Sequence, residues 1–275
     1  IGGDVRDSNS WLNGKIASAK LFTAALSASD ILSDFNSSNA LYNTPPSYLA
    51  TPALKAYYSF DNDFNDLSGS PTQNATRDAI SSNGSANSTN QAIVTGNGFQ
   101  KLGTRALSLD GNRDFLTLGS GVWFDLGTGG SGMTVSFWLK PLAKSMNAEY
   151  QILSHPKTEQ FQFQYSDQYQ KVYFKTKPGN SWTTVELPAA LNEWSHITGV
   201  YEITGGNHIM KLYKNASIQA TLSLGSNPQH TSDNSHPNIL LGAIRTGGTG
   251  NPIEEYKGGI DDLAIWQTAL NHDQI

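Results

Sequence analysis

Cysteine is absent from the 275 residues, so no disulfide staples the fold and packing alone must hold it. Charge is scarce: 15% of residues are Asp, Glu, Lys or Arg, and the net charge is −5. Tracking a nucleic-acid backbone needs clustered Lys and Arg, so that class of partner is excluded. No apolar run reaches the length of a membrane span, and no basic region followed by an apolar core opens the chain as a signal peptide would. Long Glu-, Lys- and Ala-rich helical stretches are missing too. Gly, Ser, Thr and Asn abound instead, beside aromatic and β-branched residues, which is the balance of an all-β protein with polar loops. The expected location is extracellular or at a cell surface, in a bacterium.

The two ends of the chain resemble each other. Gly14-Lys15-Ile16-Ala17-Ser18-Ala19-Lys20-Leu21-Phe22 matches Gly258-Gly259-Ile260-Asp261-Asp262-Leu263-Ala264-Ile265-Trp266, and Ala25-Leu26 matches Ala269-Leu270 at the same offset. Self-similarity at a fixed period marks a repeat. Residues 1–33 therefore read as the C-terminal strands and turn of a preceding repeat. Residues 34–52, with Pro45-Pro46 and Pro52, read as a linker, and 53–275 as one full domain. A segment that short cannot bury a core, so residues 1–31 are expected to contact neighbouring copies of the same domain.

Alternation of apolar and polar residues predicts strands over 53–60, 92–94, 106–109, 115–118, 133–140, 160–165, 171–176, 183–187, 194–201, 209–214, 218–222, 239–242 and 259–266. Residues 68–98 otherwise read as a long surface loop. So many short strands joined by turns imply an antiparallel two-sheet sandwich.

Six segments in order resemble the laminin-G-like branch of the concanavalin A-like lectin/glucanase superfamily. They are Tyr57-Tyr58-Ser59-Phe60-Asp61 with Asp66-Leu67-Ser68-Gly69, Ala106-Leu107-Ser108-Leu109-Asp110-Gly111, Met133 to Pro141, Glu193 to Tyr201, Leu212-Tyr213-Lys214-Asn215-Ala216, and Tyr256 to Trp266 with Ala269-Leu270. The usual glycine after Asn215 is here Ala216. The resemblance implies an all-β, antiparallel jelly-roll sandwich, and it implies no single function, because lectins, adhesion modules, glucanases and spacers share the fold.

Catalysis on such a fold needs two facing carboxylates. No Glu-x-Asp-x-Glu strand is present, Glu254-Glu255 lie in a glycine-rich loop, and adjacent Asp261 and Asp262 point to opposite faces of a strand. No nucleophile-elbow motif occurs, and His196, inside a strand, reads as structural. The chain is not expected to be an enzyme.

Asp61, Asp63 and Asp66 follow the first strand, and Asp261 and Asp262 lie in the last. The resemblance makes those strands neighbours and so implies a structural calcium site from the five aspartates. Asp61 to Asp66 is not an EF-hand loop, for it lacks the glycine at position six and the closing glutamate. The alternative is that these aspartates cap turns. Ala17-Ser18 stand in place of Asp261-Asp262, so the preceding repeat cannot bind metal the same way.

For a sugar, Gln160, Gln162 and Gln164 line the face opposite Phe161, Phe163 and Tyr165, and Tyr173, with Lys171 and Lys175, extends it. Trp138 alternates out of phase with Val135, Phe137 and Leu139, and Trp182 sits in a turn, so both are candidates for stacking. Against this, glutamines are ordinary solvent-facing strand residues. Sequons at Asn36, Asn74, Asn83, Asn87 and Asn215 matter only in a eukaryotic secretory pathway. The leading expectation is a non-catalytic repeat of a larger surface or secreted protein, acting in adhesion or in recognition of a polysaccharide or other glycan. The alternatives are a spacing or filament-forming repeat without ligand, or an accessory domain of a polysaccharide-degrading enzyme.

Overall fold

The structure, a computed structural model, describes residues 3–4, 7–11, 27, 29–30, 53–68, 75–79, 93–96, 99–118, 132–144, 148–155, 161–178, 181–226, 239–245 and 252–275. The chain divides into two compact units, Ile1–Ala40 and Leu41–Ile275. In the first, β1 (Gly3–Asp4) pairs antiparallel with β2 (Asp7–Trp11). Of residues 14–31, on which the expectation of a repeat rests, all but Ser27, Ser29 and Asp30 lie outside the described residues.

The second unit runs β3 (Leu54–Tyr58), β4 (Thr76–Ala79), β5 (Ile93–Thr95), β6 (Ala106–Asp110), β7 (Asp114–Thr117), β8 (Gly132–Pro141), β9 (Glu149–Ser154), β10 (Phe161–Ser166), β11 (Lys171–Thr176), β12 (Thr183–Pro188), β13 (Ser195–Thr204), β14 (Asn207–Lys214), β15 (Ser217–Ser226), β16 (Leu240–Leu241), β17 (Ile244–Arg245), β18 (Pro252–Ile253) and β19 (Lys257–Trp266). A seven-stranded sheet has the order β12-β11-β10-β9-β16-β7-β4. An eight-stranded sheet has the order β15-β14-β13-β8-β19-β6-β5, with β3 also on β19. Pairing within both is antiparallel, which gives a two-sheet sandwich of the jelly-roll kind.

Alternation sorts side chains between core and outside. On β8, Met133, Val135, Phe137 and Leu139 are wholly buried in the core; on β10, Phe161, Phe163 and Tyr165 are. The sheets lock at Phe163. Its ring stacks on Phe174 at 4.7 Å and meets Phe137 of the other sheet edge-on at 5.4 Å. Gly199 on β13 faces the same ring, and a Cβ there would lie 2.4 Å from it, so only glycine permits this approach.

β9 is absent from the sequence reading for a physical reason. A bulge where Phe163/Gln164 pair with β9 breaks its two-residue period, so Ile152 and Leu153 are both in the core although adjacent. The turn between β14 and β15 keeps its shape without the usual glycine: Asn215 and Ala216 take φ of 50° and 64°.

Candidate functional site

Register on the seven-stranded sheet sets three rows on the face turned away from the core. Gln162 stands opposite Ser154 and Lys175, Gln164 opposite Gln151 and Tyr173, and Ser166 opposite Glu149 and Lys171. β12 adds Thr184 beside Lys175 and Glu186 beside Tyr173. Gln160 lies outside the described residues.

The glutamines are not the solvent-facing residues that alternation implied: Gln162 is 3% exposed, Gln164 6% and Tyr173 8%. The register shows one reason. Lys175 Nζ reaches Glu149 Oε2 at 2.8 Å, and because Lys175 is level with Gln162 and Glu149 with Ser166, the pair crosses β10 over Gln164. Lys171 pairs with Glu186 alongside.

Beneath these pairs the amides are incompletely bonded. Gln164 Nε2 donates to Gln162 Oε1 at 3.4 Å, and Gln151 Nε2 donates to Glu254 Oε2 at 2.8 Å. Among the described residues, Gln151 Oε1 and Gln164 Oε1 are buried with no hydrogen-bond partner. Residues directly opposed across a sheet have Cβ atoms about 5 Å apart, so the two glutamines that carry these acceptors are neighbours. Each such atom costs about 1–3 kcal/mol while unbonded. Burial, and then the carboxylates of Glu186 and Glu149, raise the Tyr173 phenol above its ordinary value, which keeps it a neutral hydroxyl. Gln151 escaped the sequence reading together with its strand; its one signal is an amide inside the otherwise apolar run Tyr150-Gln151-Ile152-Leu153.

Trp138 does not join this face, because β8 belongs to the other sheet. Its ring lies 5.1 Å from that of His196, with Lys101 Nζ 4.4 Å from its centroid. His196 Nε2 lies 2.8 Å from Ser136 Oγ, and burial lowers its pKa to about 4, so the ring is neutral and structural. Trp182, 39% exposed, stands in the β11–β12 turn of the amide-bearing sheet, with Lys177 Nζ 5.4 Å from its ring.

The aspartates separate into two groups. Asp63 Oδ1 accepts from Asn65 N at 2.9 Å, and Asp66 accepts from Tyr57 N at 2.8 Å, Ser68 N at 2.9 Å and Ser68 Oγ at 2.6 Å, so both fix turns. Pairing of β3 with β19 brings Asp61, Asp261 and Asp262 together under residues 101–105. Asp261 Oδ2 accepts from Lys101 N and Leu102 N, each at 2.9 Å, while Asp61 Oδ1 accepts from Thr104 N and from Arg105 N, the latter at 3.2 Å. Gly103, at φ 54°, lets the loop close on Asp61: a Cβ would lie 2.0 Å from Asp61 Oδ1. The Tyr57 hydroxyl donates to Asp262 Oδ1. Burial first, then the Asp262 carboxylate, push Asp261 up to about 8, against the pull of the Leu102 and Lys101 N–H groups. Asp262 is pushed up to about 6, again by burial foremost.

Calcium takes six to eight oxygens. Here the carboxylates already accept N–H and O–H bonds, and among the described residues no group of three or more His, Cys, Asp or Glu is placed to hold a metal ion. The donor set does not fit a calcium ion held by these five aspartates.

A family model described as the concanavalin A-like lectin/glucanases superfamily matches residues 110–275. No curated protein matches the sequence. Among solved structures, the binding domain of botulinum neurotoxin serotype C1 is similar at a TM-score of 0.57 and 13% identity, over 81% of this chain and 50% of that one. Botulinum neurotoxin type C, whose passage into cells is dependent upon interaction with two ganglioside molecules, gives a TM-score of 0.52 at 13% identity over the same shares. The binding domain of botulinum neurotoxin DC, in complex with rat synaptotagmin II, gives 0.52 at 14%, also over 81% and 50%. The chain thus spans about half the length of these chains, and the likeness shows the fold. Among the described residues no helix is long and apolar enough to cross a membrane.

Proposed function

The chain belongs to the concanavalin A-like lectin/glucanases superfamily, and on that premise we propose that it is a non-catalytic carbohydrate-recognition domain of a larger extracellular adhesion protein. The glycan binds over Gln151, Gln162, Gln164 and Tyr173. The observation that carries this is that two glutamines in register on adjacent strands, Gln151 and Gln164, each bury an amide oxygen without a donor. Sugar hydroxyls supply donors, and the Tyr173 hydroxyl supplies a further polar group. The pairs above them are exposed ion pairs worth about 0–1 kcal/mol each, so a ligand displaces them at little cost. Exposed Trp182 offers a ring face at the end of the same sheet. The ganglioside interaction of one structural neighbour accords with this reading, although only the fold carries over from it.

Absence of catalysis rests on the carboxylates of this face. Glycoside hydrolysis needs one carboxyl as acid and a second as nucleophile or base. Glu149 and Glu186 instead stand on β9 and β12 with two strands between them, and Glu254 is bonded to Gln151, so they are not set as a facing pair.

One feature favours the second reading, a repeat that assembles. β15 is an edge strand with Ile218 and Leu222 exposed and no charged residue over Ser217–Ser226, the kind of edge that accepts another strand. A glycan array probed with the whole chain, with its oligomeric state measured by light scattering, separates the two. Recognition expects saturable binding to a defined set of glycans by the monomer. Concentration-dependent oligomers without any glycan signal would favour assembly.

A further inference from the structure

Resting on the carbohydrate reading above, we infer that this site takes a linear oligosaccharide lengthwise along β11, with Tyr169 and Trp182 each stacking on a sugar at one end of that strand. Among the described residues these are the two exposed aromatic rings, 59% and 39% exposed. Both belong to the amide-bearing sheet, Tyr169 in the turn from β10 to β11 and Trp182 in the turn from β11 to β12, so one stands at each end of the same strand. Neither ring belongs to a core cluster, so packing does not account for them.

Both rings lie by the amide face. The Tyr169 phenol is close enough to Lys171 and Tyr173 to act on both electrostatically. At the other end Thr184 stands opposite Lys175, and Trp182, two residues before Thr184, keeps to the same side: Lys177 Nζ, two residues beyond Lys175, lies 5.4 Å from its ring centroid. The strand between the rings, Lys171–Thr176, makes five steps of about 3.3 Å, roughly 17 Å in all. That exceeds a mono- or disaccharide, so only a longer chain reaches both rings. The C–H face of a sugar ring suits the negative face of an aromatic one. Between the rings, Lys171 with Glu186, the Tyr173 hydroxyl, and Lys175 with Glu149 follow one another along the strand. They present donors and acceptors to the hydroxyls of the bridging sugars, each of which both donates and accepts.

Isothermal titration of the whole chain tests this with the monosaccharide, the disaccharide and longer members of one series, cut from the polysaccharide that gives the strongest array signal. Affinity is expected to rise about tenfold or more from the disaccharide to the chain that spans both rings, and then to level off. Tyr169→Ala and Trp182→Ala are each expected to remove most of that gain, with far-UV circular dichroism unchanged because both side chains are exposed in turns. Tyr169→Phe, which keeps the ring, is expected to retain it. Array signals confined to glycans too short to span the strand, equal affinity for the disaccharide and the longer members, or the full gain in both alanine variants would overturn the inference and leave the carbohydrate reading standing. No signal anywhere on the array would overturn the reading and the inference with it.

Discussion

Phe163→Ala lowers unfolding stability by about 3–5 kcal/mol, the loss expected when a wholly buried aromatic ring is cut to a methyl group. For a domain of this size that is a fall in Tm of roughly 6–20 °C. The ring is the contact at which the sheets lock: it stacks on Phe174, meets Phe137 edge-on and lies against the bare backbone of Gly199. Nothing can swing in to fill the space, because Gly199 has no side chain and the neighbouring rings are held by their own strands. Gly199→Ala alone overpacks the same spot and costs about 1–3 kcal/mol. Together the two changes are expected to be strongly non-additive, the alanine methyl entering the space the ring leaves. Chemical denaturation of the two single variants and the double variant measures this; additive losses would mean that the sheets do not meet at Phe163.

Raising the pH from 7 to 9 destabilises the protein by about 1–2 kcal/mol, and Asp261→Asn removes most of that dependence. The sign follows from the direction of the shift. Asp261 is raised from 3.8 to about 8 in the folded state, burial being the main cause, so the unfolded chain ionises first. Its contribution to stability is complete below pH 4 and is lost as pH climbs through about 8. Asp262 and Asp114, both raised to about 6 by burial, act in the same sense at lower pH. His196, lowered to about 4, opposes them there, since a buried neutral imidazole loses stability as pH falls below 6.5. Above pH 7 the histidine is neutral in both states, which leaves Asp261 as the principal buried group titrating. At pH 8.5 Asp261→Asn is expected to gain roughly 2–4 kcal/mol, its oxygen still accepting from Lys101 N and Leu102 N. Calcium on these carboxylates would reverse the picture: stability would rise with pH and a chelator would lower Tm. The account expects Tm to be unchanged by chelator.

The sandwich was legible because β8, β10, β11 and β19 state their two faces residue by residue. That Gln162, Gln164 and Tyr173 share one face was legible for the same reason, since alternation assigns faces before any strand order is known. Their burial was not, because it depends on Lys175 reaching Glu149, a contact made by three strands in a particular register. Gln151 was hidden by the bulge that breaks the period of β9. Trp138 was grouped with the amides because alternation says that a side chain faces outward and not from which sheet. The aspartates followed the same limit: proximity of β3 and β19 was foreseeable, but the loop from Lys101 to Arg105 that supplies their N–H donors is remote in sequence and gave no sign of that role.

The central claim is that glycan is bound on the amide face. The most direct measurement is titration calorimetry of a glycan identified on the array against three variants of the whole chain, each checked for an intact far-UV spectrum. Gln164→Leu and Tyr173→Ala are expected to weaken binding tenfold or more, while Trp138→Ala, on the other sheet, leaves it unchanged. Full affinity in Gln164→Leu and Tyr173→Ala, with loss confined to Trp138→Ala, would contradict the account and move the site to the opposite face.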